Sequence, residues 1–236
     1  MGLKFQSVAE RQETLEGLDL IDNIGAPTYP VYWKKQHLDL KVQRVPIEFP
    51  FFNLSNARTK DTQAEYISIH NKSDNFFKTL DDLQAQESQY EILKNNYVKT
   101  TGDSISSILY KNLKNGEQTE PLVLTKDYKV LSGNRRLCIM RGLDEAAIES
   151  GKPRNFEFIK VVFLEGGTEK DERALEYYLE EQRTGKVEFS WTSRALSIRE
   201  DKETMDWNQI VEIRHEAFQQ RAKALTSYKE QLQMIN

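Results

Sequence analysis

Pro121-Leu-Val-Leu-Thr-Lys-Asp-Tyr-Lys-Val-Leu-Ser-Gly-Asn-Arg-Arg-Leu-Cys-Ile-Met140 changes its hydrophobic period twice. Pro121-Leu-Val-Leu-Thr125 is a short apolar run of strand type. Lys126-Asp127 is a turn, and Tyr128-Lys-Val-Leu131 is a second short strand. Ser132-Gly133-Asn134 breaks the extended pattern. From Arg135 the spacing is helical, with Leu137, Ile139, Met140, Leu143, Ala147 and Ile148 apolar. The predicted helix runs toward Ser150 and ends at Gly151-Lys-Pro153.

A strand that passes through glycine into a helix has a definite chemistry. The first turn of a helix exposes backbone N–H groups and carries partial positive charge, so it attracts anions. Gly133 permits positive φ and a close approach of backbone to ligand. Arg135 and Arg136 add forked donors that match phosphate oxygens. Arginine is not the charge that a helix N-terminus prefers, and two of them there ask for an anionic partner. Gly133, Asn134, Arg135 and Arg136 are therefore candidate phosphate ligands.

Downstream, Phe156 to Leu164 is the strongest strand in the chain. Thr168 to Gln182 is a predicted helix, with Thr168 and Asp171 at the spacing of a capping box. Ser193–Arg199, Trp207–Arg214 and Ala217–Met234 read as a small helical tail. Upstream, residues 1–30 read as an irregular arm with a short helix over Ala9–Leu15. Val31–Trp33 and Val45–Phe49 have extended character. Helices are expected over Gln63–His70, Ser88–Val98 and Ser104–Leu113. The expected class is α+β: a small mixed sheet with flanking helices, followed by a small all-helical region.

The chain has 236 residues, of which 38% are hydrophobic, enough for one sizeable core. Lys+Arg 33 against Asp+Glu 37 gives a net charge of -4, which lacks the global positive field of a dedicated non-specific DNA binder. No apolar run approaches the roughly 20 residues that span a bilayer, and no membrane partner is expected. One cysteine, Cys138, excludes an internal disulfide framework and fits a small core residue and a reducing, cytoplasmic setting. His37, His70 and His215 lie too far apart for a helical metal pair.

The run Pro121–Leu143 resembles the ParB/sulfiredoxin superfamily, in which a Pro-strand, turn, strand, Gly-x-Arg-Arg, helix element binds the triphosphate of a nucleotide. Asn53-Leu-Ser-Asn-Ala-Arg58 is similar to the family's early Asn/Arg box, which adds Arg58 to the candidate ligands. Leu179-Glu-Glu-Gln-Arg183 resembles its second ligand box. That likeness implies Glu181, Gln182 and Arg183 as nucleotide contacts and Glu180 and Glu181 as metal ligands. The organisation it implies is an arm over 1–30, a nucleotide-binding domain over 31–190 and a tail over 191–236.

The family implies a nucleoside triphosphate, CTP or ATP, with Mg2+. It also implies a helix-turn-helix in the tail and a homodimer or partner protein. In such a tail Gln219, Gln220, Arg221 and Lys223 are the candidate DNA-binding residues. Yet Lys and Arg in 193–236 (194, 199, 202, 214, 221, 223, 229) equal Asp and Glu (200, 201, 203, 206, 212, 216, 230) in number. The family also implies an early carboxylate in some kinases, which singles out Glu48. Two departures shift the expectation from catalysis to binding: Asn134 replaces the usual Glu or His, and the second box lacks its Asn. The expected protein is a ParB-like nucleotide binder associated with DNA. The alternatives are a ParB-fold enzyme (an NTPase, nuclease or small-molecule kinase) and an adaptor in a phage, defence or mobile-element system. No catalytic residue is assigned.

Overall fold

The computed structural model describes residues 3–20, 26–98, 105–182 and 191–217. Its architecture is mixed α+β. Helix α1 spans Val8–Leu20, and strands β1 (Thr28–Trp33) and β2 (Gln36–Lys41) form an antiparallel hairpin. Strand β3 (Gln43–Pro46) follows, then a 3-10 turn at Ala57–Thr59, then helices α2 (Lys60–Ile69), α3 (Leu83–Val98) and α4 (Ile105–Lys114). Strands β4 (Leu122–Leu124) and β5 (Val130–Ser132) lead into helix α5 (Asn134–Glu149). Strand β6 (Phe158–Phe163) and helices α6 (Glu169–Gln182) and α7 (Trp191–Thr204) complete the series, and residues 207–217 are helical.

The main sheet has the order β3-β6-β4-β5. β6 pairs antiparallel with β3 and parallel with β4, and β4 pairs antiparallel with β5. β6 is an inner strand, which explains why Phe156–Leu164 reads as so strong a run. Side chains alternate across a strand, and the sheet uses both faces. Leu122 and Leu124 of β4 join Ile159 and Val161 of β6 in a core with Leu93 of α3, Leu113 of α4 and Leu137 and Met140 of α5. Val123 and Val162 face the other way, onto Val31 and Trp33 of the hairpin and Leu175 of α6.

Several expectations shift. The described part of the arm is regular: α1 extends beyond Ala9–Leu15, and β1 begins within residues 1–30. Arg11 ties α1 down, its Nε donating to the Phe49 carbonyl at 2.9 Å and its guanidinium lying 3.9 Å from the Phe51 ring centroid. The strand β2 was not expected, because Gln36-His-Leu-Asp-Leu-Lys41 is a polar, mostly exposed edge. The capping box at the start of α6 forms as the sequence implies. Thr168 N and Oγ1 both donate to Asp171 Oδ2 at 2.8 Å, and Asp171 N returns to Thr168 Oγ1 at 3.3 Å.

The tail is docked along the domain. Met205, Ile210, Ile213 and Ala217 pack on Tyr177 and Ala174 of α6. Arg173 of α6 reaches into α7, with Nε to Asp201 at 2.7 Å and Nη2 to Glu200 at 3.0 Å. Ala217–Met234, apart from residue 217, lies outside the described residues. No helix among the described residues is long and apolar enough to cross a membrane.

Candidate functional site

The loop of residues 50–59 is the first wall of the site, and buried amides hold it. Phe51 forms a parallel bridge to Lys129, with Phe51 N donating to Tyr128 O and Val130 N to Phe51 O. Gln86 of α3 satisfies both backbone groups of Phe52. Gln63 Nε2 of α2 donates to Leu54 O at 2.8 Å and to Gln89 Oε1 at 2.7 Å, and Gln89 Nε2 reaches Thr59 Oγ1 at 3.0 Å. Three glutamines from the 59–111 segment thus fix the loop that carries Arg58. Asn56 caps the short 3-10 turn by accepting from Arg58 N at 3.1 Å.

The second wall is the β5–α5 junction. Gly133 is the N-cap of α5 at φ 108°, in the left-handed region. A Cβ there would lie 2.5 Å from Leu122 Cδ2 and 3.2 Å from Arg136 Nη1, so only glycine fits. Asn134 is buried and its amide is spent on the scaffold: Oδ1 accepts from Asn53 N at 2.9 Å, and Nδ2 donates to Val130 O at 2.7 Å. It welds the Asn53 loop to the strand end. Arg136 is also buried, with Nη1 on Pro121 O at 3.1 Å and Nη2 on Glu120. These bonds give Arg136 a scaffolding role that its sequence position does not reveal.

The third wall is α6. Asn56, Ala57, Arg58, Ser132, Gly133, Asn134, Arg135, Arg136, Glu176 and Tyr177 line one pocket with Leu109, Leu131 and Leu179. Its volume is about 110 Å³, against the roughly 10–15 Å³ that one water needs. The pocket therefore brings together Arg58 of the early box and the whole Gly133–Arg136 box. Glu180, Glu181 and Gln182 lie in the last turn of α6. Their side chains and Arg183 lie outside the described residues, as do Gln219, Gln220, Arg221 and Lys223.

Glu176 and Arg173 escaped the sequence reading. Glu176 precedes Glu180 by one helical turn, the only signal it gave. Its Oε1 accepts from Asn53 Nδ2 at 2.7 Å and its Oε2 from Arg173 Nη1 at 2.7 Å. Burial pushes its carboxyl above the ordinary range, with Arg173 opposing. Burial works against the Arg173 charge, but Glu176, Asp201 and Glu200 more than offset that and raise its pKa. Tyr177 OH donates to Asp201 and accepts from Arg214 Nη2 at 2.8 Å. Burial and Asp201 push that phenol up to about 12.

Glu48 is not at this pocket. It pairs with Arg154 at 3.3 Å and lines a separate cavity with Arg141, Asp144 and Glu145. Cys138 is buried in the main core, and burial pushes its thiol up. Among the described residues no group of three or more His, Cys, Asp or Glu is placed to hold a metal ion. No family model matches the chain, and no curated protein or solved structure matches it.

Proposed function

We propose that the protein binds a nucleoside triphosphate, CTP or ATP, with its phosphates at the start of α5. One observation carries this reading: Arg58 and Arg135, far apart in the chain, line the same cavity as the glycine that opens that helix. Two guanidinium groups and a positive helix end suit phosphate oxygens. The resemblance of Asn53–Arg58 and Gly133–Arg136 to the boxes of ParB-like domains supports the same ligand. Binding is favoured over catalysis. Asn134, which stands where the family carries Glu or His, is committed to the scaffold.

The described part of the tail favours a brace over a DNA reader. Glu200 and Asp201 bind Arg173, Glu203 binds Lys78, and Glu212 and Glu216 bind Lys35. Asp201 is buried against the domain and Glu200 is largely so, while Glu203 and Glu212 sit on the surface and would repel a nucleic-acid phosphate.

Calorimetric titration with CTP, ATP and GTP, with and without Mg2+, tests the proposal. Wild type should bind at least one of them, and Arg58→Ala/Arg135→Ala should lose about 100-fold or more in affinity, as the loss of two charge-assisted contacts implies. Equal binding by wild type and the double variant rejects the site. Arg136→Ala is a poor probe, because it also unbinds Glu120 and Pro121.

A further inference from the structure

Among the described residues, Glu176 is the one carboxylate in the wall of a pocket that three arginines also line. Its side chain is 16% exposed, and it is anchored on both sides. Asn53 takes one direction on Oε1 and Arg173 one direction on Oε2. A carboxylate offers about four acceptor directions, so two remain. Arg173 shares its single charge among Glu176, Glu200 and Asp201, and Lys60 binds Glu200 at 2.7 Å. The directly bonded set holds three carboxylates and two cations. A phosphate pressed against that end would meet net negative charge, whereas a neutral O–H or N–H would gain a charge-assisted hydrogen bond. Partial burial strengthens both effects. Arg58 and Arg135, cationic side chains in the lining of the same pocket, suit phosphate oxygens instead.

We infer that, given the phosphate reading above, the pocket takes a bipolar ligand, whose phosphates lie at Arg58, Arg135 and the start of α5 and whose hydroxyl or amino donor meets Glu176. Glu176 is then a specificity residue. It rejects bare polyphosphate and selects a nucleotide whose sugar hydroxyl or exocyclic amine reaches it. Leu109, Leu131 and Leu179 add apolar surface to the same pocket.

The test compares inorganic tripolyphosphate with whichever of CTP and ATP binds wild type more tightly, at fixed pH and salt. The nucleotide should bind about tenfold or more tightly, the worth of one hydrogen bond to a charged group. Two analogues locate the donor. Loss of the preference with the 2′,3′-dideoxynucleotide assigns a sugar hydroxyl. Loss with UTP in place of CTP, or ITP in place of ATP, assigns the exocyclic amine. Preference retained by both analogues overturns the inference. In Glu176→Gln the ratio of nucleotide to tripolyphosphate affinity should fall by about tenfold. An unchanged ratio in a folded variant also overturns it. The wild-type arms need no variant, so a misfolded Glu176→Gln does not spare the inference. If tripolyphosphate binds as tightly as the nucleotide, the phosphate reading stands and the Glu176 assignment fails. If neither binds, the phosphate reading itself has failed.

Discussion

Gln86 holds both backbone groups of Phe52 from a position with no exposed surface: Phe52 N donates to Oε1 at 2.9 Å, and Nε2 donates to Phe52 O at 3.0 Å. One side chain of α3 thereby fixes the loop that places Arg58 at the pocket. Gln86 Nε2 also reaches Leu80 O at 2.7 Å, so the approach to α3 is tied into the same clamp.

Gln86→Leu keeps the bulk but strands the Phe52 N–H and C=O. Each buried group left without a partner costs about 1–3 kcal/mol. The expected loss is about 2–4 kcal/mol in urea denaturation, with weaker nucleotide binding as the loop loosens. A loss under about 0.5 kcal/mol would show that the loop does not depend on the clamp.

Gly133→Ala puts a methyl against Leu122, which is fully buried and cannot withdraw. It also forces an L side chain to φ 108°. Destabilisation of at least about 1–3 kcal/mol is expected from the backbone strain alone. Thermal denaturation checks it, and a variant as stable as wild type would refute the geometry of the α5 start.

Arg173→Ala removes the donor shared by Glu176, Glu200 and Asp201. Breaking a buried ion network by one partner costs about 3–5 kcal/mol. Lysine should not rescue it, because Nε, Nη1 and Nη2 of the guanidinium have different partners. Limited proteolysis should show cleavage within residues 191–217 before the body unfolds. Protection equal to wild type would mean that the apolar contacts with Tyr177 and Ala174 and the remaining ion pairs hold the tail without Arg173.

Glu176 sets a pH dependence. Burial raises its folded carboxyl above the ordinary 4.5, so above that pH the folded state holds more proton than the unfolded chain. Stability contributed by this group is present below 4.5 and is lost as pH rises through the folded value. Urea denaturation from pH 4 to 8 should show wild type losing ground to Glu176→Gln as pH rises. A difference constant across that range would contradict the raised carboxyl.

The sequence made the β4–β5–α5 path legible because three local signals agree there: two short apolar runs, a glycine and a helical stripe. Thr168 and Asp171 were legible for the same reason, since a capping box is a local bond. The roles of Asn134 and Arg136 were not. Both sit in a motif that suggests ligand contact, yet their partners, Asn53 and Glu120, come from other segments that only the fold brings near. Glu176 lay hidden because a glutamate on a helix rich in Glu gives no signal until Asn53 and Arg173 converge on it. β2 was missed because only two of its six residues, Leu38 and Leu40, are apolar, too few for their alternation to stand out.

The pairing of β3 with β6 has a consequence for synthesis. β3 leaves the ribosome more than a hundred residues before its partner. At about 5–20 residues per second, its edge stays open for on the order of 5–20 seconds. Through that interval Arg44 and Pro46, at one end of the strand, discourage pairing with a stranger. The nascent chain thus carries its own guard against tangling until β6 arrives.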